Sequence, residues 1–162
     1  MESAMAREVK MLNDKKANVL IVDDDVTICR TISLVLENEG YRTDSANSGT
    51  EALEKLDKAY FNAALLDIRL PDVEGTELLK TFRTNSPQTV KIMLTGYPKL
   101  ENAVEALNQG ADAYLIKPVH PEKLVKVLNE KLKQQEEAEK TTEESIAVFL
   151  QARTKRLLQG SK

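Results

Sequence analysis

Two periods alternate along most of this chain. Short runs expected to be strands, at 18–22, 42–45, 63–66, 90–94 and 113–116, mostly aliphatic and β-branched except for the polar 42–45, are each followed by a segment in which apolar side chains recur every three or four positions. The first such segment carries Ile28, Ile32, Val35 and Leu36 and stops at Gly40, which suits a left-handed helix end. The second begins after Ser48 and has Ala52, Leu53 and Leu56 on one face; the third has Leu78, Leu79 and Phe82. A fourth is expected from about Leu100 to Gln109, ending at Gly110, and Pro121 opens a fifth where its missing amide proton costs nothing. Repeated strand-to-helix units with short connections require parallel pairing and right-handed crossovers, with helices on both faces of the sheet. The expected fold is α/β, a flavodoxin-like (βα)5 doubly wound parallel sheet of strand order 2-1-3-4-5 with a C-terminal helical extension.

In such a sheet the carboxyl ends of the strands line one crevice. Four strands here end on Asp23-Asp24-Asp25, Asp67, Thr95 and Lys117. The first and third strands would be neighbours ~4.8 Å apart, bringing their terminal carboxylates together. Two such charges ~4 Å apart at an effective dielectric of about 20 repel by on the order of 4 kcal/mol, so a retained proton or a bridging divalent cation is required. Mg2+ is the natural candidate, because it takes oxygen ligands and engages one or two carboxylates while keeping waters. Lys117 would supply positive charge to an anion joining the metal.

Composition narrows the remaining classes. A chain of 162 residues, 41% hydrophobic, can bury one real core. A net charge of -3 gives no basic footprint for nucleic acid or an acidic membrane. The single cysteine, Cys29, excludes an internal disulfide framework and falls in a helical pattern that predicts buried packing. Residues 1–16 contain no apolar stretch of signal-peptide type, and no run approaches ~18 apolar residues. The expectation is a cytoplasmic protein with no membrane segment.

From Ala17 to Lys133 the chain resembles the receiver domains of two-component response regulators. The resemblance is carried by Asp23-Asp24, by Asp67 followed by Ile-Arg-Leu-Pro71-Asp-Val-Glu-Gly75, by Thr95-Gly96, and by Tyr114-Leu-Ile-Lys117-Pro118, all in order and each at a strand end. It implies that Asp67 is the phosphoacceptor, a nucleophile toward a phosphoryl group donated by a sensor histidine kinase or a small acyl phosphate. It implies that Asp24 and Asp67 ligate Mg2+ directly, Asp23 through water, and Arg69 through its backbone carbonyl. Thr95 and Lys117 would contact the phosphoryl oxygens, and Lys117-Pro118 matches a bond commonly cis in the family. Thr95 and Tyr114 match the switch positions that reshape the surface of the fourth helix, fifth strand and fifth helix for a downstream effector or a homodimer. Arg69 and Tyr97 occupy positions that tune dephosphorylation in relatives. On this reading the chain is a signalling domain rather than an enzyme, with at most slow self-dephosphorylation.

Other residues have plainer roles. Asp25 should cap or open the first helix, and His120 should be a loop residue at a helix entry. The rival reading takes Asp23-Asp24-Asp25-Val26-Thr27 as the D-x-D-x-T pattern of haloacid-dehalogenase-type phosphatases, with Asp23 the nucleophile and Asp25 the acid/base. Against it, Thr27 runs into a helix with no flap insertion, and Asp67 and Pro71 are left unexplained. The domain plan is a flexible extension over 1–16, the receiver over 17–135, and a polar linker with a short amphipathic helical tail over 136–162. Thr141 and Glu144 read as a capping box opening that tail helix, which would either dock a partner or dimerise, or else be a linker stub or fold back on the domain. So short a tail cannot form a winged-helix or catalytic output domain, and no direct nucleic-acid binding is expected.

Overall fold

The computed structural model describes residues 3–5, 17–96 and 99–160. Five strands, β1 (Asn18–Val22), β2 (Arg42–Ala46), β3 (Ala63–Asp67), β4 (Val90–Thr95) and β5 (Ala113–Ile116), alternate with five helices, α1 (Val26–Asn38), α2 (Gly49–Lys58), α3 (Gly75–Asn85), α4 (Leu100–Asn108) and α5 (Pro121–Gln159). All pairings are parallel, in the order β2-β1-β3-β4-β5. β2, Arg-Thr-Asp-Ser-Ala, forms one edge with Arg42 and Asp44 exposed, whereas every residue of β3 and β4 is buried. Continuous apolar runs belong where helices cover both faces; the alternating one belongs at the margin. The expected N-terminal extension, and Tyr97, lie outside the described residues except for positions 3–5.

Strand pleating sorts the core into two layers. Val19, Ile21, Leu65 and Ile92 face α1 and α5, packing on Leu36, Leu124 and Leu128. Leu20, Leu66 and Met93 face the opposite way, onto Ala52, Leu78, Leu79, Phe82 and Ala106 of α2, α3 and α4. Gly40 and Gly110 end α1 and α4 with φ of 92° and 100°. Asp25 caps α1 by accepting from the amides of Thr27 (2.9 Å) and Ile28 (3.2 Å), and Ser48 caps α2 through the Glu51 amide at 3.1 Å.

The C-terminal region differs from expectation. There is no linker and no second helix: α5 runs unbroken for 39 residues, roughly 58 Å at 1.5 Å per residue. Nothing between Pro121 and Gly160 breaks it, and its polar middle is rich in Glu, Lys and Gln, which propagate a helix well in water. The expected capping box fails because the Thr141 hydroxyl donates to the Glu137 carbonyl, 2.9 Å, one turn back in the same helix, as Thr142 does to Ala138.

The β3–α3 connection is closed by a residue with no side chain. Gly75 donates to the Ile68 carbonyl at 2.5 Å, and a Cβ there would collide with the Asp67 carbonyl oxygen and lie 2.8 Å from Ile68 Cα. Backbone cannot yield as a flexible side chain can. Gly75→Ala should destabilise the domain by about 2–3 kcal/mol, read by urea unfolding, while Gly96→Ala, with nothing among the described residues within 4 Å of the added carbon, should stay within about 0.5 kcal/mol.

Candidate functional site

Each site residue follows from a strand end. β1 delivers Asp23 and Asp24, β3 delivers Asp67, β4 delivers Thr95, and the residue after β5 is Lys117. Asp23, Asp67 and Thr95 are buried, Asp24 is exposed, and Lys117 is partly covered. Carboxylate oxygens of Asp23, Asp24 and Asp67 lie within 4.8 Å of one another. Lys117 Nζ pairs with Asp23 Oδ2 and stands 3.5 Å from Asp67 Oδ2. The Lys117 amide donates to the Thr95 carbonyl at 2.7 Å, which ties the lysine to the end of β4. The Lys117-Pro118 peptide bond is cis.

Among the described residues, three carboxylates therefore face one ammonium, a surplus of two negative charges. Hard oxygen donors with that surplus fit a divalent cation of the Mg2+ type. Asp23 is fixed from several directions: its Oδ1 accepts from the Asp25 amide at 2.9 Å, and its carbonyl accepts from Asn47 Nδ2 at 2.9 Å and Cys29 Sγ at 3.4 Å. Asp67 Oδ1 accepts a long bond, 3.5 Å, from the Arg69 amide. Burial raises the Asp67 carboxyl above its ordinary range; Lys117 pulls it back, and Asp23 pushes it further up. Burial works against the charge on Lys117 as well, but its pairing with Asp23 and Asp67 prevails and its pKa is raised.

Tyr114 is partly buried among the side chains on the α2, α3 and α4 face of the sheet. Its hydroxyl oxygen is buried with no hydrogen-bond partner of normal geometry among the described residues. Burial raises its pKa, and the Thr95 hydroxyl acts the other way. The ring thus points inward, its polar tip toward the end of β4.

Some supporting residues escape sequence reasoning. Asp72 accepts from the Gly49 amide (2.8 Å), the Thr50 amide (2.9 Å) and the Thr50 hydroxyl (2.6 Å), and these bonds bring its pKa down to about 2. It pins the loop after Asp67 to the start of α2, across a sequence separation that no local motif reveals. Asn47, just past β2, and Cys29 of α1 hold the Asp23 backbone; Cys29 is buried, as its helical setting predicts, and burial lifts its thiol to about 11. The carboxylate of Asp25 is engaged by the α1 amides and stands outside the acidic cluster, which removes the acid/base of the phosphatase reading. No helix among the described residues is long and apolar enough to cross a membrane.

Because the folded-state pKa of Asp67 exceeds the unfolded value, ionising it weakens the fold; that cost is full at neutral pH and disappears below the ordinary carboxyl value, 3.8. In EDTA at pH 7, Asp67→Asn should be more stable than wild type by on the order of 1 kcal/mol. Thermal melts from pH 7 to pH 3 should show the gap closing as pH falls.

Comparison with known proteins agrees with this geometry. Residues 19–129 match the family model for the response regulator receiver domain. Among curated relatives, the transcriptional regulatory protein ZraR of Klebsiella oxytoca is 39% identical over 75% of this chain and 27% of its own length, and TrcR of Mycobacterium tuberculosis is 35% identical over 80% of this chain and 51% of its own. The chain thus spans about a quarter to a half of these relatives. A receiver domain protein described as CheY-like from Methanospirillum hungatei JF-1 superposes with a TM-score of 0.73 at 49% identity, covering 75% of this chain and 97% of that one. The beryllofluoride-activated NtrC4 receiver domain dimer gives 0.70 at 33% identity over 73% and 98%. With the family match covering more than half the sequence and the strand order, acidic cluster and lysine in place, this chain belongs to the response regulator receiver domains of two-component systems.

Proposed function

We propose that this receiver accepts a phosphoryl group on Asp67 from a sensor histidine kinase, with Mg2+ held by Asp24, Asp67 and the Arg69 carbonyl and, through water, by Asp23. The observation that carries this is the approach of the Asp23, Asp24 and Asp67 carboxylates to within 4.8 Å beside the Lys117 ammonium. An Asp67 Oδ attacks phosphorus, the P–N bond to the donor histidine breaks, and its electron pair leaves with the imidazole. Bound Mg2+ would offset negative charge on the acceptor and the transferred oxygens. Lys117 exchanges carboxylate partners for a phosphoryl oxygen, and the Thr95 hydroxyl donates to another. Partial burial limits water at the new acyl phosphate, and Arg69 stands at a position able to hinder its attack.

Signal output follows from the added charge, about -1.5 to -2 with three acceptor oxygens. Thr95 moves toward them, and Tyr114, already inward, is held there, so the α4, β5 and α5 surface settles into one of two packings for a downstream effector or a second receiver.

Intact mass after acetyl phosphate and Mg2+ tests the acceptor. Wild type should gain one phosphate, Asp67→Asn none; an adduct kept by Asp67→Asn and lost by Asp23→Asn would transfer the case to the phosphatase chemistry. Lys117→Ala should label at least about tenfold more slowly, having lost a charge-assisted contact. For the switch, the Tyr114 ring resonances should shift on saturation with beryllofluoride and Mg2+, and an unchanged spectrum would remove Tyr114 from the output.

A further inference from the structure

The apolar face that seats α5 on the receiver is interrupted beyond Leu132 and then resumes. Leu124, Leu128 and Leu132 pack on the core, and the same helical face, acidic at Glu139 and Glu143, turns apolar again at Ile146, Leu150 and Leu157, all more than half exposed. Every described residue from 140 onward is exposed. Because α5 is unbroken, this stripe cannot fold back onto its own domain.

The stripe has a repeat and a symmetry. Glu139, Glu143, Ile146, Leu150, Arg153 and Leu157 are spaced four, three, four, three and four apart, the seam of a two-helix coil. Read backwards, the spacing is the same. Two copies laid antiparallel about a point near Val148 therefore match Ile146 with Leu150, Glu143 with Arg153, and Glu139 with Leu157, each pair twice. Phe149 then meets its own copy beside the axis. A parallel, in-register pair would instead stack Glu139 on Glu139, Glu143 on Glu143 and Arg153 on Arg153, three like-charge layers in one short seam. Flanking charge agrees: Glu136, Glu137, Glu139, Glu143 and Glu144 crowd the middle of α5, while Arg153, Lys155 and Arg156 mark its end, so the antiparallel arrangement sets acid against base. It also delivers the partner's Leu157 beside Glu139, at the open cleft that α5 forms with Tyr60 and Asn62 at the amino-terminal edge of the sheet. Val148 and Leu158 lie off the seam and stay exposed.

We propose that the distal half of α5 is a homodimerisation element, pairing antiparallel with a second copy of this chain through these six positions, independently of the phosphorylation site. Sedimentation equilibrium of the full chain should give a concentration-dependent dimer whose constant is unchanged by Asp67→Asn. Glu143→Arg and Arg153→Glu should each weaken it by at least about tenfold, since each places like charges in both equivalent layers, and the double variant should recover it. In a Cys29→Ala background, Glu139→Cys mixed with Leu157→Cys should form an interchain disulfide that neither forms alone. A chain monomeric to about 1 mM, a disulfide within Glu139→Cys alone, or a double variant no tighter than the singles would overturn the proposal. Circular dichroism of each variant separates loss of pairing from loss of the helix.

Discussion

Everything at the carboxyl end of this sheet is arranged around an electrostatic debt. Parallel pairing of β1 with β3 forces the carboxylates that follow Val22 and end β3 to share a small space, and one ammonium, Lys117, answers them. A buried ion pair of this kind adds little net stability, because desolvation consumes most of the attraction. What it gives is definition: Lys117 is held between two acids from different strands, and the surplus charge makes the pocket receptive to a cation and, with it, to an anion. A site tuned to be stable by itself would have fewer acids. The raised carboxyl of Asp67 is the local signature of that compromise.

Such frustration survives only if the surrounding backbone cannot relax. Two contacts prevent it. Gly75 lets the turn after β3 fold tightly over the Asp67 carbonyl, and Asp72 anchors the same loop to the amino end of α2 through three hydrogen bonds. On the other side, Asn47 and Cys29 fix the Asp23 carbonyl. Supports on the loops and inner helix faces are what keep four strand ends converged on Asp67.

Much of this was legible in the sequence for a simple reason. The buried strands of a parallel sheet are written in contiguous apolar runs, so β1, β3, β4 and β5 and the polar residues at their ends could be placed from the pattern, the polar β2 and the strand order followed from the repeated strand-to-helix units, and Asp25, Gly40 and Gly110 declared the helix ends by local chemistry. What stayed hidden depends on long separations or on competition. The partners of Asp72 lie 22 and 23 residues away, and nothing near it in sequence names them. The supposed break at Thr141 failed because a hydroxyl able to cap a new helix is equally able to bond back into an existing one, and a long run of good helix formers decides between them.

The unbroken α5 also changes how the domain's signal could be used. Its first turns carry Leu124 and Leu128 against the sheet, so any repacking of the receiver that tilts this segment is transmitted along a rigid rod, not lost in a flexible linker. A small angular change at the domain becomes, at the far end of a helix roughly 58 Å long, a displacement many times larger. If two such rods are paired antiparallel, each receiver lies near the other's distal end, and the pair sets the spacing of the two domains without drawing on the strand ends that carry Asp67 and Lys117. A seam of only a few apolar layers and two ion pairs holds such a pair together weakly, whereas a long leucine-rich coil would make it permanent. The modest apolar content of the stripe is therefore suited to an association governed by concentration, whichever state the acidic cluster is in.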